Sequence, residues 1–226
     1  MFIDKTMTRN VITIGPEATV IEAQEIMGKA HIRHLPVVDQ EKKLLGMVSD
    51  RDIRSAMPSS FLTEEEYALA KGKIAGIYAK NIMTKREKLI TISPTNTLED
   101  ALLMMQSVKV GAFPVVDKSN TLLGLVSIRD LMRAFINVLG ISEPGTLLCI
   151  LVEEKLGQMK KIVDAITEER VSFGSILVAR HWEEDKRAVF PYLLTNNVSR
   201  IKHKLEALGF ELLNPMEWYL DQLPKS

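Results

Sequence analysis

This chain has little that would equip it for chemistry of its own. It carries one cysteine, Cys149, so no intramolecular disulfide is available, and that fits a reducing cytoplasm. It has no net charge, with 29 Lys plus Arg against 29 Asp plus Glu, so no global field favours nucleic acid or an anionic membrane. Apolar runs such as Leu147–Val152 fall far short of the roughly 20 residues of a spanning helix. The start, MFIDKTMTRN, lacks the basic region and apolar core of a secretory signal. The four histidines lack metal-ligand spacing, so no metal is expected. There is no G-x-x-x-x-G-K-[ST] loop, and no G-x-G-x-x-G follows a strand. Cys149 lacks a base, and Glu183-Glu184 reads as a solvated turn. No catalytic residue is expected.

What is present is a repeat. The chain is 226 residues long, 46% hydrophobic and 26% charged, ordinary for one large soluble domain or two modest ones. Shifting it by 78 positions lays Ile12-Thr13-Ile14 on Ile90-Thr91-Ile92 and Pro36–Asp39 on Pro114–Asp117, PVVD in both copies. The same shift lays GMVSDRDI, Gly46–Ile53, on GLVSIRDL, Gly124–Leu131. No gap intervenes between Val11 and Ile53, and 18 of those 43 positions are identical. Upstream, Met7-Thr8 matches Met83-Thr84 once two residues are allowed for.

Each copy reads as β-α-β-β-α. A short β-prone run ends at Gly15-Pro16, and Thr19 with Glu22 forms a capping box that opens a helix, matched by Thr97 with Asp100. Val20, Ala23, Met27 and Ala30 share one helix face, as do Leu98, Ala101, Met105 and Val108. Two strands follow, Leu35–Val38 and Leu44–Ser49 in the first copy, and then a second helix. A single unit of about 50 residues is marginal alone, so two are expected to pack sheet to sheet around a pseudo-two-fold cleft. Between them, Thr63 with Glu66 can cap an inserted helix.

The doubled S-x-x-D at the start of the second helix has two compatible meanings. Serine at the N-cap with an acid three residues on satisfies orphan amide donors without any ligand. The same helix start presents N–H groups and a positive dipole end to a phosphate. Asp52 and Asp130 can accept hydrogen bonds from a ribose diol, Ser49 and Ser127 stand beside them, and Arg51 and Arg129 can reach an anion.

These motifs resemble a tandem CBS-domain pair, or Bateman module, over roughly Asp4 to Gly140. The resemblance implies an adenosyl ligand: AMP, ADP or ATP, or S-adenosylmethionine or NAD. It places Asp52 and Asp130 on ribose hydroxyls, and the backbone at Val11-Ile12 and Leu89-Ile90 beside adenine. It places the segment before PVVD near phosphates. That segment holds His31, Arg33 and His34 in the first copy and only Lys109 in the second, so the first copy is expected to bind phosphate better. Ile128 in place of Asp50 also makes the two pockets differ in charge.

The last third begins after Gly140, whose position predicts a helix cap, and the GISEPG linker. It reads β-α-β-β-α-β, the ferredoxin-like order, with a hairpin around EEDK, Pro191 at an edge or bulge, and Asn197 capping the second helix. It resembles an ACT domain, with Gly157 where that family places a glycine between first strand and first helix, a candidate ligand position. The usual aspartate and proline are missing there, so dimerisation or relay stands beside amino-acid binding. A CBS pair followed by an ACT-like domain resembles the acetoin-utilisation AcuB-type proteins.

The expectation is therefore an α/β (α+β) chain: CBS repeat 1 at 1–58, helical linker at 59–81, CBS repeat 2 at 82–140 and an ACT-like domain at 141–226. It is expected to be a cytoplasmic, non-catalytic nucleotide sensor, a homodimer acting on a protein partner, without nucleic acid or membrane. An adaptor with empty clefts and an amino-acid sensor remain open as alternatives.

Overall fold

The computed structural model describes residues 1–57, 74, 76–183 and 185–214, in two compact units, Met1–Met132 and Arg133–Ser226. The helix expected from Thr63 and Glu66 lies outside the described residues.

In the first unit the repeat is visible element by element. The first copy runs α1 (Val20–Ala30), β1 (His34–Val38), β2 (Leu44–Ser49) and α2 (Asp50–Ala56). After α3 (Ala79–Ile82) and β3 (Thr84–Lys85), the second copy runs α4 (Leu98–Val108), β4 (Ala112–Val116), β5 (Leu122–Ser127) and α5 (Ile128–Leu139), of which residues 128–132 belong to this unit. The capping boxes at Thr19/Glu22 and Thr97/Asp100 are both closed in both directions. Val20, Ala23 and Met27 of α1 are buried, as are Leu98, Ala101 and Met105 of α4. Full burial of such side chains stabilises the fold by about 1.5–3 kcal/mol for each large one. On α5 the buried face holds Leu131 and Ala134, while Phe135 and Val138 are exposed. The β-prone run before each first helix shrinks to a single parallel bridge, Ile14 to Val37 and Ile92 to Val115.

The two copies exchange their lead-in segments. Thr8, ahead of the first copy, bridges Leu125 on β5 of the second. Thr84 and Lys85, ahead of the second, form β3 and pair with Met47 and Gly46 on β2 of the first. Likewise Phe2 bridges Thr97 and Tyr78 bridges Thr19. The motif glycines follow from this exchange. A Cβ on Gly46 would lie 2.6 Å from the Thr84 carbonyl oxygen and 2.7 Å from Met83 Sδ. One on Gly124 would lie 2.7 Å from Met7 Sδ and 2.9 Å from the Thr8 carbonyl oxygen. The hairpin tips also join: Lys43 bridges Thr121, and its ammonium donates to the Ser119 carbonyl and Thr121 Oγ1, both at 2.9 Å.

The second unit contains β6 (Thr146–Leu147), β7 (Cys149–Glu153), α6 (Gln158–Thr167), β8 (Phe173–Glu183), β9 (Lys186–Leu193), α7 (Ser199–Ala207) and β10 (Glu211–Leu213). Both β6 and β7 pair with β9, β8 pairs with the other side of β9, and β10 pairs with β7. With β6 and β7 counted as one interrupted strand, the order is fourth-first-third-second, antiparallel, the ferredoxin-like arrangement. Pro191 is not at an edge, because β9 is an inner strand. Its position explains the interruption instead. By the common register of β6 and β7 against β9, Pro191 stands opposite Leu148, whose N–H donates to the Pro191 carbonyl at 3.0 Å. Proline has no N–H to return the bond. Nor does Asn197 cap α7: the N-cap is Val198, without a side-chain bond. Gly209, at φ +84, ends that helix, with Phe210 N–H donating to the Leu205 carbonyl at 3.1 Å.

Candidate functional site

Each second strand of the CBS-like unit ends at a serine, and the following helix starts beside it. Ser49 N–H and Oγ donate to Asp52 Oδ2 at 2.7 and 2.6 Å, and Asp52 N–H points back to Ser49 Oγ at 3.4 Å. The second corner repeats this: Ser127 N–H and Oγ donate to Asp130 Oδ2 at 2.9 and 2.6 Å. The capping role is therefore real at both sites, and it engages only one oxygen of each carboxylate.

The other oxygen distinguishes the corners. Among the described residues, Asp52 Oδ1 takes no hydrogen bond, and Asp52 is half-buried. Asp130 Oδ1 accepts from Thr8 Oγ1 at 3.2 Å, and Asp130 is buried at 6% exposure. Thr8 has no role in the sequence reading above. Its signal there is the duplicated Met-Thr pair, whose meaning depends on the exchanged lead-in segments. The exchange sets the first lead-in, which continues to Val11 and Ile12, beside the second repeat's aspartate rather than its own.

His34 opens β1 directly opposite Ser49 in the β1–β2 register, which brings its ring to the first corner. Burial pushes its pKa down; the Asp52 carboxylate pulls it back up, Arg33 lowers it and Asp50 raises it. His34 also reaches across the pseudo-dyad, since a Cβ on Gly111 would lie 3.7 Å from His34 Cε1. Gly111 and Ala112 replace Arg33 and His34 in the second repeat, which keeps only Lys109 and Arg129 as basic side chains near its corner. Asp50 N–H donates to the Arg33 carbonyl and Ile128 N–H to the Gly111 carbonyl, both at 3.0 Å. These bonds tie each helix start to the segment before PVVD.

The remaining predicted positions scatter more. His31 and Lys109 are exposed and end α1 and α4 in the left-handed conformation, at φ 53 and 54. Arg33, Arg51 and Arg129 are exposed, Ile90 is half-buried and Ile12 is 44% exposed. The Leu89 side chain packs into the inter-repeat core with Leu44 and Met47. Val11 lines a cavity of about 200 Å³ between the repeats, together with Arg9, Thr13, Val38, Lys42 and the start of β5.

In the second unit Gly157 starts α6 at φ +88, where a side chain would be strained although nothing stands within 4 Å of its missing Cβ. Burial raises the pKa of the Cys149 thiol. Among the described residues no group of three or more His, Cys, Asp or Glu could hold a metal ion. Also among them, no helix is long and apolar enough to cross a membrane.

Known proteins bear on the first unit. The model of the CBS domain matches residues 3–59 and 79–137. The inosine-5'-monophosphate dehydrogenase of Bifidobacterium longum is 34% identical over 127 residues, 56% of this chain and 21% of the dehydrogenase. The chain thus spans about a fifth of the length of the curated dehydrogenases it matches. The solved structure of an acetoin utilization protein (AcuB) of Vibrio cholerae is 31% identical at a TM-score of 0.51, covering 64% of this chain and 98% of that one. CBSX2 of Arabidopsis thaliana, solved in complex with AMP, is 26% identical at a TM-score of 0.50, covering 60% of this chain and 96% of that one. With both repeats matched over half of its length, the chain belongs to the CBS-domain family.

Proposed function

We propose that this protein is a non-catalytic regulatory sensor whose CBS pair binds an adenosyl ligand, AMP, ADP or ATP foremost and S-adenosylmethionine or NAD as further members of the class. The observation that carries this reading is the Asp52 corner. Its carboxylate is held rigidly by Ser49 through Oδ2, while Oδ1 takes no bond from the described residues and can accept from a ribose diol. The α2 N-terminus and the side chains of His31, Arg33 and Arg51 suit the attached phosphate. The AMP complex of CBSX2 supports the ligand class.

The Asp130 corner is the weaker of the two, because Thr8 already uses its second oxygen. Occupancy is relayed in this reading through an ACT-like C-terminal unit of a cytoplasmic homodimer to a protein partner; the ferredoxin-like strand order and Gly157 at the start of α6 support it. A thermal-shift panel of AMP, ADP, ATP, S-adenosylmethionine, NAD and amino acids tests the reading, since native-state ligands raise stability by mass action. Adenosyl compounds are expected to raise the transition; a response to amino acids alone would reassign the sensor to the C-terminal unit.

A further inference from the structure

Helix α5 is the element by which the chain leaves the first unit and enters the second, and both of its ends are tied down. Its third residue is Asp130, bonded to Ser127 and Thr8 at the second corner. The matching helix of the first copy, α2, has 7 residues and gives way to extended backbone at Met57, ψ 149. In contrast, α5 runs for 12 residues, about 18 Å, and stops at Gly140, left-handed at φ +67.

The far end of α5 meets a seat inside the second unit. Between the Phe173–Leu193 and Ser175–Tyr192 pairs of β8 and β9, Gly174 is an extra residue, a bulge. A Cβ on Gly140 would lie 2.9 Å from Gly174 Cα, so the helix end rests on the backbone of that bulge. One on Gly174 would lie 2.8 Å from Tyr192 Cδ1, and one on Gly145 would collide with the Leu193 carbonyl oxygen and lie 3.0 Å from the Tyr192 ring. These three glycines let the helix end, the bulge and the linker close around one tyrosine. Tyr192 Oη completes the seat by donating to the Glu143 carbonyl at 2.6 Å, and Glu143 N–H donates to the Gly140 carbonyl at 3.1 Å.

We propose that α5 relays occupancy of the Asp130 corner to the second unit through the Tyr192 seat; this rests on the adenosyl reading of the corners. Asp130 Oδ1 already accepts from Thr8, so a ribose hydroxyl arriving there displaces or shares that bond and moves the first turn of α5. The seat opposes the movement at the other end, because glycine backbone packed on glycine backbone has no side chain that can give way. The two corners then differ in task. The Asp52 corner, whose Oδ1 takes no bond from the described residues, binds more tightly, and the Asp130 corner is the one that signals.

AMP is the probe, titrated into the full-length protein carrying fluorotyrosine, with binding read by calorimetry and the rings by fluorine NMR. The Tyr192 line is the one missing from Tyr192→Phe. It is expected to shift saturably with AMP. Asp130→Asn, whose amide oxygen can still accept from Ser127, should abolish the shift while AMP still binds at Asp52. Linkage is reciprocal, so Tyr192→Phe, which loosens the helix end, should tighten AMP by about fivefold or more, and should change nothing in the Asp130→Asn background. Calorimetric AMP binding with an unmoved Tyr192 line, a shift that survives Asp130→Asn, or unchanged or weaker AMP binding in Tyr192→Phe would overturn the relay and leave the adenosyl reading standing. Absence of any AMP heat would overturn the adenosyl reading and the relay with it.

Discussion

Replacing Gly46 with alanine tests whether the exchanged lead-in segments hold the CBS pair together. The new Cβ would sit 2.6 Å from the Thr84 carbonyl oxygen and 2.7 Å from Met83 Sδ, roughly 0.8 Å inside ordinary van der Waals contact. The methionine side chain can swing away. The carbonyl cannot, because Thr84 is held in the ladder opposite Met47. Either β3 shifts or β2 bends, and overpacking of this kind costs about 1–3 kcal/mol. A loss of about 2 kcal/mol should lower the calorimetric transition of the first unit by roughly 6–10 °C, given its size. Gly28→Ala is the matched control: it lies inside α1 with nothing within 4 Å of its missing Cβ. Alanine there should raise stability by about 0.5–1 kcal/mol. If Gly46→Ala melted with wild type, within about 0.5 kcal/mol, the close approach of β3 would be wrong and the motif glycine would need another explanation.

Two further outcomes follow from the corners. Asp130→Ala should destabilise more than Asp52→Ala, by about 1 kcal/mol in urea unfolding, because it also removes the Thr8 bond that ties the first lead-in to the second repeat. Equal losses would mean that bond is idle. His34 is held neutral chiefly by burial, so its folded pKa lies below the unfolded value of 6.5. Its contribution to stability is complete above pH 6.5 and is lost as pH falls through that value toward the folded pKa. The melting temperature of wild type should therefore fall more between pH 7.5 and 5.5 than that of His34→Asn, and parallel curves for the two proteins would contradict this.

The parts legible in the sequence were those governed by short-range rules. The capping boxes at Thr19, Ser49, Thr97 and Ser127 each need only a residue and its third neighbour, and all four form. The helix faces led by Val20 and Leu98 follow from period as far as Met27 and Met105, whereas Val108, expected on the second face, is exposed at the end of its helix. Long-range pairing was not legible. Gly46 and Gly124 stand out in the motif, yet the reason for them lies in segments that cross from the opposite repeat. Pro191 reads locally as an edge or bulge residue, and only the strand order shows that it interrupts the pairing of an inner strand. Asn197 has the right side chain for a cap, but its backbone N–H donates to Thr195 Oγ1 and the helix starts after Val198. At the site, Asp52 and Asp130 are equal in sequence and unequal in space, because the difference is one hydroxyl from Thr8.

The central claim is that Asp52, Asp130 or both, with Asp52 foremost, hold the ribose of an adenosyl ligand. Titration calorimetry of AMP into the intact protein tests it most directly, alongside the double variant Asp52→Asn/Asp130→Asn, whose amide oxygens can still accept from Ser49 and Ser127. Saturable binding to the wild type is expected, weakened in the variant by about 1.5–3 kcal/mol, the range for hydrogen bonds to charged groups. No saturable heat with AMP or any other adenosyl compound, or a variant that binds as tightly as wild type, would contradict the account.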